Sequence, residues 1–217
     1  MPHGHVVCDK CLDSLHEDMF DKVLDRCPEC GYPRVSEDYN CTWCAKNAGF
    51  KVFALSDYKA PFSRKLLEQY KFHKDRRISS VIAFLFDEKL SDFSEEGRKF
   101  ILVPVPSSRT SLRKRGWDQM VEVCRVLKRR YGYEYLNILE NRKKGEQQKK
   151  LSKEERERFS QDKYSIRKKE LLDDVLKARI ILVDDIVTTS NTLKACVKAL
   201  QKAGFEDISA LTWFAEL

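Results

Sequence analysis

The chain of 217 residues holds nothing near the ~18 uninterrupted apolar residues that a membrane helix needs, so no membrane span is expected. Its N-terminus shows no basic-then-apolar signal sequence, which points to a cytoplasmic protein. No Gly-x-x-x-x-Gly-Lys-Ser/Thr loop occurs, so the chain cannot itself perform P-loop ATPase work. There is no internal repeat and no obvious catalytic His or Cys. What is present is positive charge, a formal net +7. Residues 142–169 carry twelve Lys or Arg against five Asp or Glu, which accounts for the whole excess. Such localisation points to a polyanion or phosphate partner. A solvated surface insertion is the competing reading.

The chain is long enough for one medium core and a small accessory module. Six of its eight cysteines form three Cys-x-x-Cys pairs, Cys8/Cys11, Cys27/Cys30 and Cys41/Cys44. In a reducing compartment that spacing means metal or redox chemistry. Cys27-Pro-Glu-Cys30-Gly31 and Cys41-Thr-Trp-Cys44 are ten residues apart and suit two knuckles completing one tetrahedral Zn site. Cys8 and Cys11 lack an obvious partner pair and are expected to be reactive or half-liganded. Cys124 and Cys196 fall on apolar helix faces and are expected in the core.

The most informative segment is Ile180-Ile-Leu-Val-Asp-Asp-Ile-Val-Thr-Thr-Ser-Asn-Thr192. Ile180 to Val183 fit a parallel strand buried on both faces. Leu193, Cys196, Val197 and Leu200 have helical spacing, and Gly204 stops that helix. Asp184 to Asn191 are thus expected to form a strand-to-helix loop at the carboxyl end of a strand, where open α/β sheets bind ligands. Thr188, Thr189, Ser190 and Thr192 offer hydroxyl donors, and Asn191 an amide, around backbone N–H groups at a helix N-terminus. Together they make a phosphate cradle without a lysine. Asp184 and Asp185 would repel that phosphate, and accepting hydrogen bonds from ribose hydroxyls gives them another role. An acidic N-cap before a Thr-rich first turn is the plainer alternative.

These residues resemble the phosphoribosyl pyrophosphate (PRPP) motif of type I phosphoribosyltransferases. That motif usually has Gly where this chain has Ser190, so a Cβ there is expected to strain a left-handed backbone.

Other elements can be placed around the motif. Residues 50–90 read as a strand, Lys51 to Leu55, and two helices, the first capped by Ser63. Lys71 to Lys74 read as a basic helix end. Phe100 to Val105 read as a second buried strand, with Pro104 and Pro106 ruling out a central position that continues. The loop with Arg109 and Arg115 follows, its cations facing Asp184 and able to bind pyrophosphate or nucleic-acid phosphate. Residues 135–139 read as a short strand and 141–169 as a basic flexible flap anchored by Phe159 and Tyr164. A last strand runs near Ile208 to Phe214.

Taken together, the Cys knuckles, Val103-Pro-Val-Pro106, Arg115-Gly-Trp-Asp-Gln119, Gln148-x-x-Leu151, Arg156 and the PRPP motif resemble the ComF (ComFC) family of competence proteins. The resemblance implies a type I phosphoribosyltransferase-like α/β domain over 49–217, a parallel sheet flanked by helices. It also implies a small Cys-rich zinc ribbon module over 1–48. Members usually carry four Cys pairs, so either the first half of a double ribbon has degenerated here or the true start lies upstream. The implied role is handling single-stranded DNA on the cytoplasmic side during natural transformation, beside a ComFA-like helicase. Lys149, Lys150, Lys153 and Arg156 are then candidate nucleic-acid contacts, with Phe159, Tyr164 or Trp117 as stacking faces. The alternative is an active phosphoribosyltransferase using PRPP, with Mg, and an unknown acceptor.

Overall fold

A computed structural model describes residues 7–20, 27, 41, 50–95, 99–141, 163–167 and 173–216. Helix α1 spans Asp9–Glu17 and precedes strand β1, Lys51–Asp57. Helix α2, Pro61–Phe72, leads through a short 3-10 turn, Arg76–Ile78, into α3, Ser79–Glu95. Strand β2, Phe100–Pro104, is followed by α4, Arg109–Arg115, and α5, Gln119–Tyr131. Strands β3, Leu139–Asn141, and β4, Tyr164–Ile166, pair antiparallel. A single turn, α6 (Asp173–Leu176), leads to β5, Arg179–Val187, then α7, Asn191–Gln201, and β6, Ile208–Ala215.

Four strands form one sheet in the order β1-β6-β5-β2, and every neighbouring pair is parallel. The expected α/β architecture, a parallel sheet flanked by helices, is therefore present. The central position of β5 explains its composition: Ile180 to Val183 are fully buried because both sheet faces are covered. Ile181 and Val183 meet α2, α3 and α5 on one face, while Ile180 and Leu182 meet α7 and the β3–β4 pair on the other. Cys124 and Cys196 are buried, one in each half of this core, as their helical spacing suggests.

Four local expectations need correction. Strand β5 does not end at Val183, because Asp184, Ile186 and Val187 stay in register with Thr212, Phe214 and Ala215 of β6. The ladder closes with the Glu216 N–H donating to the Val187 carbonyl at 2.9 Å. Only residues 188–190 separate the strand from α7. Ser63 does not cap α2, which begins at Pro61. The Ser63 N–H and Oγ both donate to Asp18 Oδ2, at 2.8 and 2.7 Å, so a carboxylate from the end of α1 braces the first turn. Within 135–139, Tyr135 forms one parallel bridge to Leu102 and covers the outer edge of β2. The strand proper starts at Leu139. Finally, residues 163–167 of the expected flap include β4; residues 142–162, 168 and 169 lie outside the described residues.

Pro104 pairs with Val183 inside β2, and β2 is an edge of the four-stranded sheet. A residue without an N–H fits there because one side of the strand has fewer ladder bonds to lose. Among the described residues no helix is long and apolar enough to cross a membrane.

Candidate functional site

The sheet is parallel, so every strand points its carboxyl end to the same edge, and the loops after β2 and β5 leave side by side. The Val105 N–H donates to the Val183 carbonyl at 2.9 Å, which brings the β2–α4 loop onto β5 just before its acids. Asp184 and Asp185 are both half-buried at this edge. Consecutive strand residues face opposite sides, and the surroundings of the two acids differ accordingly. Asp184 sits near Tyr164 of β4 and Cys196 of α7, each of which feels its charge. Asp185 Oδ2 meets Lys71 Nζ of α2 at 2.8 Å.

Burial raises the Asp184 carboxyl well above the ordinary carboxylate range, and the charge of Asp185 adds to the shift. The Asp185 N–H, which donates to Asp184 Oδ1 at 2.9 Å, and the more distant Lys71 oppose it. The pair is thus poised for donors: a ligand hydroxyl or cation that reached Asp184 would offset a desolvation penalty already present. Burial also raises the Cys196 thiol and the Tyr164 phenol, so neither is a base near neutral pH.

The turn after β5 bears out the expectation for Ser190. Its backbone is left-handed, φ 57° and ψ 0°, a conformation that Gly adopts freely and a residue with a Cβ adopts under strain. Ser190 stands at the N-cap of α7 but its side chain makes no cap hydrogen bond. Its Oγ is buried and has no partner among the described residues. Thr188, Thr189 and Asn191 are exposed, and Thr192 is half-buried beneath them. An unsatisfied hydroxyl at a helix N-terminus, rimmed by exposed hydroxyls, can donate to an anion's oxygen without displacing an existing bond.

The β2–α4 loop is held by one side chain. Asp118 Oδ2 accepts from the Ser107 N–H at 2.8 Å, while Oδ1 accepts from the Met120 and Val121 N–H groups at 3.2 and 3.3 Å. Gly116, at φ 83°, ends α4 in the left-handed region and lets the chain reach that carboxylate. Arg115 is half-buried and donates from Nη2 to Ser107 Oγ at 3.0 Å, while its Nε is buried without a partner among the described residues. Arg109 is exposed at the first turn of α4. The expected cations therefore border the same edge as the acids, with Arg115 partly committed to its own loop and Arg109 turned to solvent.

Lys71, whose sequence context shows only a basic helix end, is placed by the structure on a motif acid. Its neighbour Tyr70 is buried, and the Tyr70 hydroxyl donates to the Gln119 carbonyl at 2.8 Å. Tyr70 also packs edge-on against Trp117, with ring centroids 5.0 Å apart. Trp117 and Tyr164 are 7% and 6% exposed, so neither offers the stacking face expected of it. Tyr164 is buried against α7.

Cys8 and Cys11, at the start of α1, bring their Sγ atoms to 3.4 Å. The Cys11 backbone N–H and thiol lower the Cys8 thiol from its usual value, and Cys11 is raised in turn. Cys27 is buried and Cys41 half-buried; Cys30 and Cys44 lie outside the described residues, as do Lys149, Lys150, Lys153, Arg156 and Phe159.

The fold and site define a parallel α/β protein with an acid pair and a hydroxyl-bearing turn at the carboxyl edge of its sheet. No family model matches the chain. It is similar to competence protein ComFC of Streptococcus pneumoniae, 28% identical over 207 residues, covering 94% of this chain and 87% of that protein. It is also similar to competence protein F of Haemophilus influenzae, 26% identical over 193 residues, covering 86% and 83% respectively. These two relatives support the ComF resemblance over most of the chain.

Proposed function

We propose that this chain is a ComF-type competence protein that handles single-stranded DNA in the cytoplasm during natural transformation and keeps a PRPP-type ribose-phosphate pocket. The competence names of both relatives support the biological role. The observation that carries the pocket is the buried Ser190 hydroxyl, unpartnered among the described residues, on a left-handed N-cap close after a carboxylate raised by burial. In this reading the 188–192 turn holds the 5-phosphate, Asp184 and Asp185 accept from the ribose hydroxyls, and Arg109 and Arg115 face the pyrophosphate. Mg bound with PRPP would neutralise phosphate charge near the acids. Lys71 then compensates Asp185 until a ligand competes for that carboxylate.

Zinc belongs to the same proposal, held by Cys27, Cys30, Cys41 and Cys44. The 3.4 Å separation of Cys8 and Cys11 is close to the ~3.8 Å edge of a tetrahedron with Zn–S arms of ~2.3 Å, so these two could fill half of a second site. A helicase resembling ComFA would supply the motor that this sequence lacks.

Calorimetric titration with PRPP and Mg, followed by an oligonucleotide, tests the reading. Saturable PRPP binding that Asp184→Asn with Asp185→Asn abolishes is the expected result. PRPP that neither binds nor releases pyrophosphate in the presence of bases or amines would remove the pocket. Release of pyrophosphate would instead favour a working phosphoribosyltransferase.

A further inference from the structure

Phe72, the last residue of α2, is 74% exposed. The other apolar residues of this helix serve the core: Leu67 and Tyr70 are buried, and Phe62 and Leu66 pack against them. The fold therefore has no evident use for a phenyl ring at this position. The chain around it is basic. Residues 64–77 include six Lys or Arg and two acids. Arg64 occupies Glu68 at 3.2 Å and Arg77 occupies Asp75 at 2.8 Å. Lys65, Lys74 and Arg76 are exposed and have no carboxylate partner among the described residues. Lys65 lies two helical turns before Phe72 on the same stripe of α2. Lys74 follows the helix in a left-handed conformation, φ 60°, of the kind that tends to persist at functional surfaces.

We propose that this end of α2, from Lys65 through Phe72 to Lys74 and Arg76, is a binding surface for single-stranded nucleic acid, with Phe72 as its stacking platform. A base has an aromatic face to lie on Phe72, and the flanking phosphates meet separate cations on either side. A protein-docking face of stable size would surround the ring with further exposed apolar groups. Among the described residues Leu112, on α4, is the one other exposed large hydrophobic side chain. Arg76 is held 5.0 Å above the Trp117 ring, and Lys71 reaches Asp185, so the surface borders the α4–α5 connection and the crest of β5. A strand crossing it passes beside the proposed pocket. A phenyl ring and cations recognise any base and any phosphate, so binding is expected to tolerate any sequence.

The inference rests on the proposed DNA-handling role, and one experiment separates the two. Fluorescence anisotropy is measured with a labelled oligothymidylate of roughly 16 nucleotides at graded salt. Phe72→Ala should weaken binding by about tenfold or more, while Phe72→Tyr should restore it. Lys74→Asn, which tolerates the left-handed backbone, should flatten the logarithmic salt slope by about 0.7. Melting temperature and PRPP titration should be unchanged in all three variants. Salt-dependent binding by the wild type that Phe72→Ala leaves intact would overturn this surface but leave the DNA role standing, and Phe72 would then be tested against a protein partner. Wild-type protein that binds no oligonucleotide would overturn both.

Discussion

The loops after β2 and β5 leave neighbouring strands at the same edge, yet they are built in opposite ways. The β2–α4 loop depends on a side chain: both oxygens of Asp118 are committed to backbone N–H groups, and Arg115 is tied to Ser107. The β5–α7 turn depends on backbone pairing that continues past the acids to Val187, and among the described residues it leaves the side chains of Thr188, Thr189 and Ser190 uncommitted. Thr188 and Thr189 face solvent, and the Ser190 hydroxyl has no partner among the described residues. The first loop is therefore braced by its own side chains, with Arg109 left to solvent. The second presents chemistry that the fold does not consume.

The contrast can be broken most sharply at Asp118. Asp118→Ala removes the N-cap of α5 and the brace on Ser107 together, and should cost about 2–3 kcal/mol in chemical denaturation. Loss below about 0.5 kcal/mol would show that the first loop does not rest on this carboxylate. Next in size is Lys71→Ala, expected to cost about 1–2 kcal/mol. It strips the counter-charge from a mostly buried acid, and the remaining solvent access keeps the penalty below that of a fully buried pair. A double-mutant cycle with Asp185→Asn should recover much of that loss, and strict additivity would deny the coupling.

Asp184 responds in the opposite direction. Its folded-state carboxyl is raised, so the folded protein holds the proton more tightly than the unfolded chain does. The associated stability is fully present below the unfolded value and is lost as pH rises through the folded one. Asp184→Asn should therefore stabilise the protein at neutral pH by about 1 kcal/mol, the scale of an imperfectly compensated buried group. The gain should vanish in acid, and thermal melting across pH reads both. Ser190→Gly is expected to add a little less, about 0.5–1 kcal/mol, by relieving the left-handed backbone. Thr188→Ala and Thr189→Ala should change stability by under about 0.5 kcal/mol while weakening phosphate binding. Equal losses in stability at both loops would erase the distinction between scaffold and site.

Much of this is legible in the chain itself. Ile180 to Val183 announced a doubly covered strand, Pro104 and Pro106 a central strand that does not continue, Cys124 and Cys196 the core, and Ser190 a strained turn. Each is a local signal, set by a side chain's own volume or backbone preference. The extension of β5 was hidden because carboxylates interrupt the apolar pattern while their backbone keeps pairing with β6. The Lys71–Asp185 pair and the Asp18 brace on Ser63 join residues far apart in sequence, for which a single chain carries no periodic cue. Burial of Trp117 and Tyr164 followed from tertiary packing, and aromatic content alone could not separate a core ring from a stacking one.

Asn141 and Tyr164 are partners in the β3–β4 ladder, so the segment between them leaves and returns through a single narrow gate. Tyr164, at that gate, is buried against α7 within electrostatic range of Asp184. The described chain on either side of residues 142–162 is thereby fixed beside the crest of β5.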